Sequence, residues 1–442
     1  TFGPASAGKR PITDGHPEVE LALVELYRVT QEPRYLALAD FMVSVRGANQ
    51  LGNAKFDNKY YQDHVAYRDL HDVVGHAVRM LYLGAGATDV WLETGDQTLK
   101  RAIDAQWENM TQRRMYVSGG VGSRWHGEAI GDDYELPNAT AYTETCAAIA
   151  SVMWNWRLLQ GTGDAKYADL MEWTLYNAVM PGLSVSGNEY FYQNPLENDG
   201  THRRSAWFGC ACCPPNVARL LAQLGSYVAS VDTQSVWLHL YANGAVDTAG
   251  SGLDAAFTVD TDYPWDQTVR ITVTRGGQWT LRARIPSWAS GATVSVGGVR
   301  HAAEPNTYVA LSRAWQVGDE VVLTFPMQPR LLVSHPAVTP NNGRVAVARG
   351  PMLYCLEHVD QTQPLHSLRL DPRTAWSDAA GDSALGKHRV LQARGYMVPY
   401  APDALYSPWR ADVSQPVRLT FIPYHLWANR AAGPMQVWVP IS

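Results

Sequence analysis

Basic clusters, long apolar runs and dense charge are all missing from this chain of 442 residues. Charged residues make up only 18% of it, and no block of Lys and Arg occurs. A nucleic-acid-binding protein would show clustered positive charge, so no nucleic-acid partner is expected. No apolar run approaches the roughly 18 residues that a membrane-spanning helix needs, so no membrane partner is expected either. No Met precedes Thr1, and the chain does not open on a basic segment followed by an apolar one. The true N-terminus, and with it any targeting signal, is expected to lie outside this sequence. Phenylalanine is scarce, with 8 residues against 16 Trp and 22 Tyr. Amphipathic aromatics of that kind suit polar ligands such as sugars, and they equally suit ordinary cores. Cysteine is scarce too: five residues, an odd number, in a chain large enough to do without covalent staples. A disulfide scaffold is excluded.

Apolar residues supply 46% of the chain, the net charge is -6 and the pI is near 6.1. Wholesale disorder is therefore excluded. At about 100–200 residues per domain, the length implies two to four domains, or a large one with an appendage.

The first half reads as helical hairpins. Residues 17–29 carry apolar residues at helical spacing, then turn at Gln31-Glu32-Pro33 into Tyr35–Met42. The plan recurs where residues 74–93 turn at Thr94-Gly95-Asp96 into Leu99–Met110. It recurs again where Thr145–Gln160 turns at Thr162-Gly163-Asp164 into Tyr167–Met180. The turns at Pro33, Gly95 and Gly163 are 62 and 68 residues apart, a period that fits an α/α solenoid or toroid. A last helix is expected over Asn216–Ser230. From Ser235 onward, short alternating runs (VWLHLY, TVRITVT, WTLRARI, ATVSV, EVVLTF, RVAVARG, VRLTFI, MQVWV) separated by Gly, Pro, Asn and Asp give all-β sandwich patterning. Residues 371–415 are polar, with Pro and Gly, and are expected to form loops. The expectation is a helical domain over 1–231 and a β-sandwich region over 232–442, either one unit or two subdomains. A closed ring of six helix pairs would need about 390 residues at this period. Only the first 231 are helical, so either the array is open or the N-terminal half of a toroid is absent from the chain.

The richest polar stretch, Val117–Cys146, lies between two helices, as site-lining loops do. Glu128, Asp132, Asp133, Glu135 and Glu144 place five carboxylates within 17 residues. The Gly-Gly-Val-Gly segment is no phosphate loop, because neither a preceding strand nor a following Gly-Lys-Ser/Thr accompanies it. Glu144, two residues before Cys146 at a helix start, can share an ion with it. The second stretch, Cys210-Ala211-Cys212-Cys213-Pro214-Pro215-Asn216, opens a helix, and a helix N-terminus stabilises a thiolate. One carboxylate and three thiolates form a plausible tetrahedral zinc set. The spacing matches no standard zinc finger, and small buried thiols beside a helix start remain the alternative. His71 and His76 are five apart and do not share a helix face; each could be a hydrogen-bonded helix histidine, or could meet a sugar hydroxyl. Tyr190, Tyr192 and Gln193 are either cavity wall or core. Cys355 reads as a core thiol.

Taken together, the stretches HDVVGHAVRMLYL, GGVGSRWHGEAIGDDYELPN, AYTETCAA, YFYQNPL, CACCPPN, RIPSWA, GRVAVARGPMLYCLE and IPYHLWANRAAGPMQVWV resemble glycoside hydrolase family 127. They run in order over nearly the whole chain. The resemblance implies a mixed α and β multidomain protein, an (α/α)6-type barrel followed by a β-sandwich region. It also implies β-L-arabinofuranosidase activity and a Zn2+ cofactor. It places Glu144, Cys146, Cys212 and Cys213 as zinc ligands, Cys212 as nucleophile and Glu128 as acid/base. His76 and Tyr192 match positions lining the sugar pocket. Family members carry roughly the first half of the barrel ahead of the position of Thr1.

The chemistry expected from this assignment is a retaining hydrolysis, with Cys212 attacking the anomeric carbon and Glu128 serving the leaving oxygen. Two rivals stand beside it. One is a non-catalytic carbohydrate-binding protein with a structural zinc, and the other a sugar lyase or isomerase using His71 or His76 as base. A hydrolase for another rare sugar is the nearest variant. The partner is a small-molecule or glycan substrate, and a sheet edge offers a route to a homodimer. A thiolate–zinc site favours a reducing cytoplasm.

Overall fold

The computed structural model describes residues 2–399, 404–406, 408 and 414–442. Seven α-helices lead: α1 (Val19–Thr30), α2 (Pro33–Ser44), α3 (Ala77–Thr94), α4 (Gln97–Asn109), α5 (Thr145–Thr162), α6 (Ala165–Thr174) and α7 (Cys213–Gln223). The repeated Thr-Gly-Asp turns explain the pairing. Gly95 and Gly163 end α3 and α5 in the left-handed conformation, at φ 69° and 67°. The next residue caps the following helix: Asp96 accepts from the Thr98 amide at 2.8 Å, and Asp164 from the Lys166 amide at 3.1 Å. Glycine supplies the left-handed residue that stops one helix, and aspartate satisfies free amides of the next.

Helices α3 and α5 are buried along most of their length, as an apolar surface on all sides requires. They approach closely because α3 has Gly84, where a Cβ would meet Trp154 of α5 at 2.9 Å, while Gly86 lets α1 approach α3 on another side, where a Cβ would meet Glu20 at 2.7 Å. Helices α1, α3, α5 and α7 pack in succession, with α2, α4 and α6 paired to α1, α3 and α5. Among the described residues Arg219 of α7 reaches back to Glu18 at the start of α1, but no closed barrel of helix pairs forms. Three pairs and one further helix are too few to complete the turn. The last helix also differs from expectation. It starts earlier, at Cys213, because Pro214 and Pro215 are tolerated in a first turn. It ends at Gln223, ahead of Gly225, and Ala229–Val231 is already a strand.

Two sheets follow. A four-stranded sheet (Thr307–Trp315, Gly277–Ile285, Ser235–Leu238, Ala229–Val231) and a six-stranded sheet (Gly244–Asp247, Ala256–Thr261, Thr268–Arg275, Glu320–Thr324, Thr293–Val296, Val299–Ala302) enclose one core. Val236, Leu281 and Ala283 supply it from one side, Val269, Ile271 and Leu323 from the other. A ten-stranded sheet completes the chain and includes Met352–Glu357, which buries Cys355. The expected loop over 371–415 is corrected in part. Ser377–Ala380 pairs with Arg389–Met397, which pairs with Gln415–Pro423. Leu391 and Ala393 alternate inward, but Arg389, Gln392 and Arg394 between them made the segment read as polar. Residues 400–403, 407 and 409–413 of that stretch lie outside the described residues. Among the described residues no helix is long and apolar enough to cross a membrane.

The sheets hold the helical part at defined points. Arg284 of strand Gly277–Ile285 reaches α6, with Nη2 2.6 Å from Glu172 Oε1. The strand Glu197–Asn198 joins the ten-stranded sheet, and Trp427 stacks on Phe191 at 4.9 Å. That last contact braces the segment carrying Tyr192.

Candidate active site

Four side chains from two places in the sequence meet at one point. Glu144 is the N-cap of α5 and Cys146 lies in its first turn; Cys212 is the N-cap of α7 and Cys213 its first residue. The chain has folded two helix N-termini together, so their dipoles both favour negative charge here. Cys146 and Cys213 lie 3.5 Å apart (Sγ to Sγ), and Cys212 and Cys213 3.8 Å apart. Glu144 Oε1 stands 3.5 Å from Cys212 Sγ and 3.8 Å from Cys213 Sγ. The four donor atoms all lie within 4.8 Å of one another.

These edges can be tested against a metal. A tetrahedral Zn2+ with Zn–S of about 2.3 Å and Zn–O of about 2.1 Å needs S–S edges of about 3.8 Å and S–O edges of about 3.6 Å. The observed separations fall within a few tenths of an ångström of both. Glu144 adds a second observation: it is 1% exposed, and its Oε2 has no hydrogen-bond partner among the described residues. A buried, unpartnered carboxylate oxygen beside three thiols fits a cation-binding cluster. Without a cation, burial and the negative charge of Cys212 push the Glu144 carboxyl well up. Hydrogen bonds from Cys146, Cys213 and Tyr192 pull the Cys212 thiol far down, which makes it the first of the three to ionise. Cys146 and Cys213 are pushed up in return, Cys146 by its hydrogen bond with Cys212 and Cys213 first by burial.

Glu128 shares a cavity of about 770 Å³ with this cluster, one of its carboxylate oxygens lying within 4.8 Å of one of Glu144's. It sits at φ 52° directly after Gly127 at φ 72°, a left-handed pair that aims the carboxylate inward. Backbone strain of this kind at a non-glycine residue persists only where the surroundings enforce it. Here the loop is pinned to the start of α3 by the Gly75 carbonyl, which accepts from the Ile130 amide at 2.8 Å. His76, the N-cap of α3, places Nε2 2.9 Å from Glu128 Oε2, and the Tyr142 hydroxyl donates to Oε1 at 2.7 Å. The His76 bond, and after it that of Tyr142, hold the Glu128 carboxyl below its ordinary range against the burial that would raise it. Tyr192 completes the arrangement, its hydroxyl accepting from the Cys212 thiol at 3.1 Å and able to donate to that sulfur once it is ionised.

The structure thus brings Glu128, Glu144, Cys146, Cys212, Cys213, His76 and Tyr192 together, with Cys213 sealed beneath the others. His71 does not join them. It is exposed on a turn ahead of α3 and faces a different surface depression, so it is neither a helix histidine nor a base for this cavity. Tyr190 lies outside the cavity, in a bridge to Ser205. Asp132, Asp133 and Glu135 pair with Arg113, Arg114 and Arg124 and act as loop braces. Sequence reasoning missed Tyr142: Thr143, between it and Glu144, sits at φ 36°, so no strand-like alternation marks the pair. It also missed the wall formed by Tyr82, Asn216 and Arg219. These side chains come from α3 and α7, and no local pattern marks them.

Comparison with known proteins decides the family. The profile described as "Beta-L-arabinofuranosidase, GH127 catalytic domain" matches residues 2–226. The middle-domain profile of that family matches residues 235–327, and its C-terminal-domain profile residues 329–440. The chain belongs to glycoside hydrolase family 127. This GH127 chain is 35% identical to the non-reducing end β-L-arabinofuranosidase of Bifidobacterium longum, over 99% of its own length and 72% of that protein's. It superposes with TM-score 0.95 on a crystal structure of a GH127 β-L-arabinofuranosidase from Geobacillus stearothermophilus T6. The two are 38% identical, and the match covers all of this chain and 74% of that one. A second solved GH127 β-arabinofuranosidase gives TM-score 0.93 at 36% identity, covering 71% of that structure. The GH127 chain is a glycoside hydrolase acting on glycosidic substrates, in a mixed helix-and-sheet multidomain fold shared with these enzymes.

Proposed function

We propose that the chain is a retaining β-L-arabinofuranosidase in which Cys212 is the nucleophile and Glu128 the acid/base, with Zn2+ held by Glu144, Cys146, Cys212 and Cys213. The activity rests on the relatives, whose names agree on that substrate. The mechanism rests on one observation: the Cys212 sulfur and a Glu128 carboxylate held by His76 and Tyr142 line the same cavity.

Cys212 Sγ attacks the anomeric carbon as the bond to the leaving oxygen breaks, and Glu128, which must first take up a proton against the two donors that lower it in the free enzyme, delivers that proton to the leaving oxygen. Glu128, now a carboxylate, takes a proton from water. The water oxygen bonds to the anomeric carbon, the C–S bond breaks and the thiolate returns. When bound, a dication would keep the thiols of this cluster deprotonated and share their charge. His76 orients Glu128, and Tyr192 donates to the sulfur as it becomes a leaving group. Four protein donors would fill a tetrahedral site, which argues against hydrolysis by metal-bound water and leaves attack by the Cys212 sulfur open.

The test is turnover of p-nitrophenyl β-L-arabinofuranoside with zinc quantified in the same sample, compared with Cys212→Ser. About one zinc per chain, turnover by the wild type and none by the variant are expected. Near-normal turnover by Cys212→Ser overturns the nucleophile assignment. Zinc without wild-type turnover points to a different sugar.

A further inference from the structure

One aromatic side chain beside Glu128 has no part in the chemistry above. Trp125 lies three residues before Glu128 in the same turn, lines the same cavity and remains 55% exposed. Its ring meets Tyr142 at 5.3 Å between centroids, with the planes at 83°. Tyr142 in turn donates to Glu128 Oε1 at 2.7 Å. The indole is therefore fixed relative to the carboxylate through one shared tyrosine, yet that single contact leaves more than half of it uncovered. Phe56, stacked on Tyr60 at 3.8 Å and 7°, and His126, 5.5 Å from Phe56, line the cavity as well. The part of the cavity next to Glu128 is thus rich in ring surface. Cys212 lines the same cavity.

We propose that Trp125 is the platform of a leaving-group subsite, on which the ring of a second sugar stacks. This rests on the assignment of Glu128 as acid/base. A group that protonates the leaving oxygen has the leaving group beside it, and the turn carrying Glu128 also carries Trp125. The C–H face of a sugar ring is apolar, while its hydroxyls stay at the rim. An exposed indole supplies a broad apolar face at small conformational cost, because only two side-chain torsions need be fixed. The subsite makes the enzyme prefer a sugar-linked arabinofuranoside over one with a small alkyl leaving group.

The experiment compares the wild type, Trp125→Ala and Trp125→Phe on two substrates: methyl β-L-arabinofuranoside and a β-L-arabinofuranosyl disaccharide. The readout is the ratio of kcat/KM on the disaccharide to that on the methyl glycoside. Trp125→Ala is expected to lower that ratio about tenfold, mainly through KM, and Trp125→Phe to restore most of it. A ratio unchanged in Trp125→Ala overturns the proposal. The pH profile on the methyl glycoside separates a second role. A ring that only braced Tyr142 would move the limb belonging to Glu128 while sparing the ratio, and that result also overturns it. Absence of wild-type turnover on both substrates overturns the functional reading, and the subsite with it.

Discussion

The Tyr192 hydroxyl stands 3.1 Å from Cys212 Sγ, nearer than Glu144 Oε1 at 3.5 Å or Cys213 Sγ at 3.8 Å. Tyr192 is thus the donor aimed most directly at the sulfur that the mechanism needs as nucleophile and then as leaving group. A hydrogen bond to a charged acceptor contributes about 1.5–3 kcal/mol. Tyr192→Phe is accordingly expected to lower kcat/KM by roughly 10–100-fold with zinc content unchanged. Zinc lost in step with activity would instead make Tyr192 a support of the cluster.

Glu128→Gln separates the two halves of the reaction. Glutamine cannot give a proton to the leaving oxygen, but a good leaving group does not need one. The variant is expected to lose about 10²–10⁴-fold on an alkyl arabinofuranoside and far less in the glycosylation step with an activated aryl one. Pre-steady-state release of the aryl group measures that step directly. Equal losses on both substrates would remove Glu128 from the acid role.

How far the sequence led can be argued from particular residues. Gly95-Asp96 and Gly163-Asp164 are local signals, since a left-handed glycine and a capping aspartate act within a few residues. They marked the hairpins without any tertiary information. Glu144 and Cys146 were legible for a similar reason, sharing the start of one helix. That Cys212 and Cys213 join them depends on α7 packing against α5, which no spacing shows. Arg389–Met397 was hidden because its outward residues are charged and Gly395 interrupts the β pattern. There a Cβ would meet the Arg369 carbonyl oxygen at 2.5 Å. Tyr142, Tyr82 and Arg219 lie in contexts that look like ordinary core or surface until the chain is folded.

Arg284 and Glu172 tie the four-stranded sheet to α6. Both are buried, 2.6 Å apart, and Tyr263 donates to the same carboxylate at 2.8 Å. A buried ion pair contributes little against an apolar replacement, but without Glu172 the buried Arg284 guanidinium keeps Asp169 while losing one of its two carboxylates. Glu172→Ala is therefore expected to cost about 1.5–3 kcal/mol, read from the urea midpoint. The double variant Arg284→Met with Glu172→Leu should recover part of that loss. A single variant within about 0.5 kcal/mol of the wild type would show that the pair is not stabilising the junction.

His239 gives the fold a dependence on acid. It is buried between Ser230 Oγ, 2.8 Å from Nε2, and Tyr308 Oη, 2.6 Å from Nδ1. Burial first, and then the Arg284 guanidinium, hold it down at about 3, against an ordinary value of 6.5. The sign follows from which state binds the proton. Below about 6.5 the unfolded chain takes one up, while the native protein stays neutral at His239 until about 3. Stability from this group is thus complete above about pH 6.5 and falls by about 1.4 kcal/mol for each pH unit below it. Between about pH 7 and pH 5 the wild type should lose about 2 kcal/mol more than His239→Gln, whose side chain binds no proton in either state. Urea titrations of both proteins across that range measure the difference. Parallel slopes would mean that His239 is protonated in the native state, or that its surroundings open before it titrates.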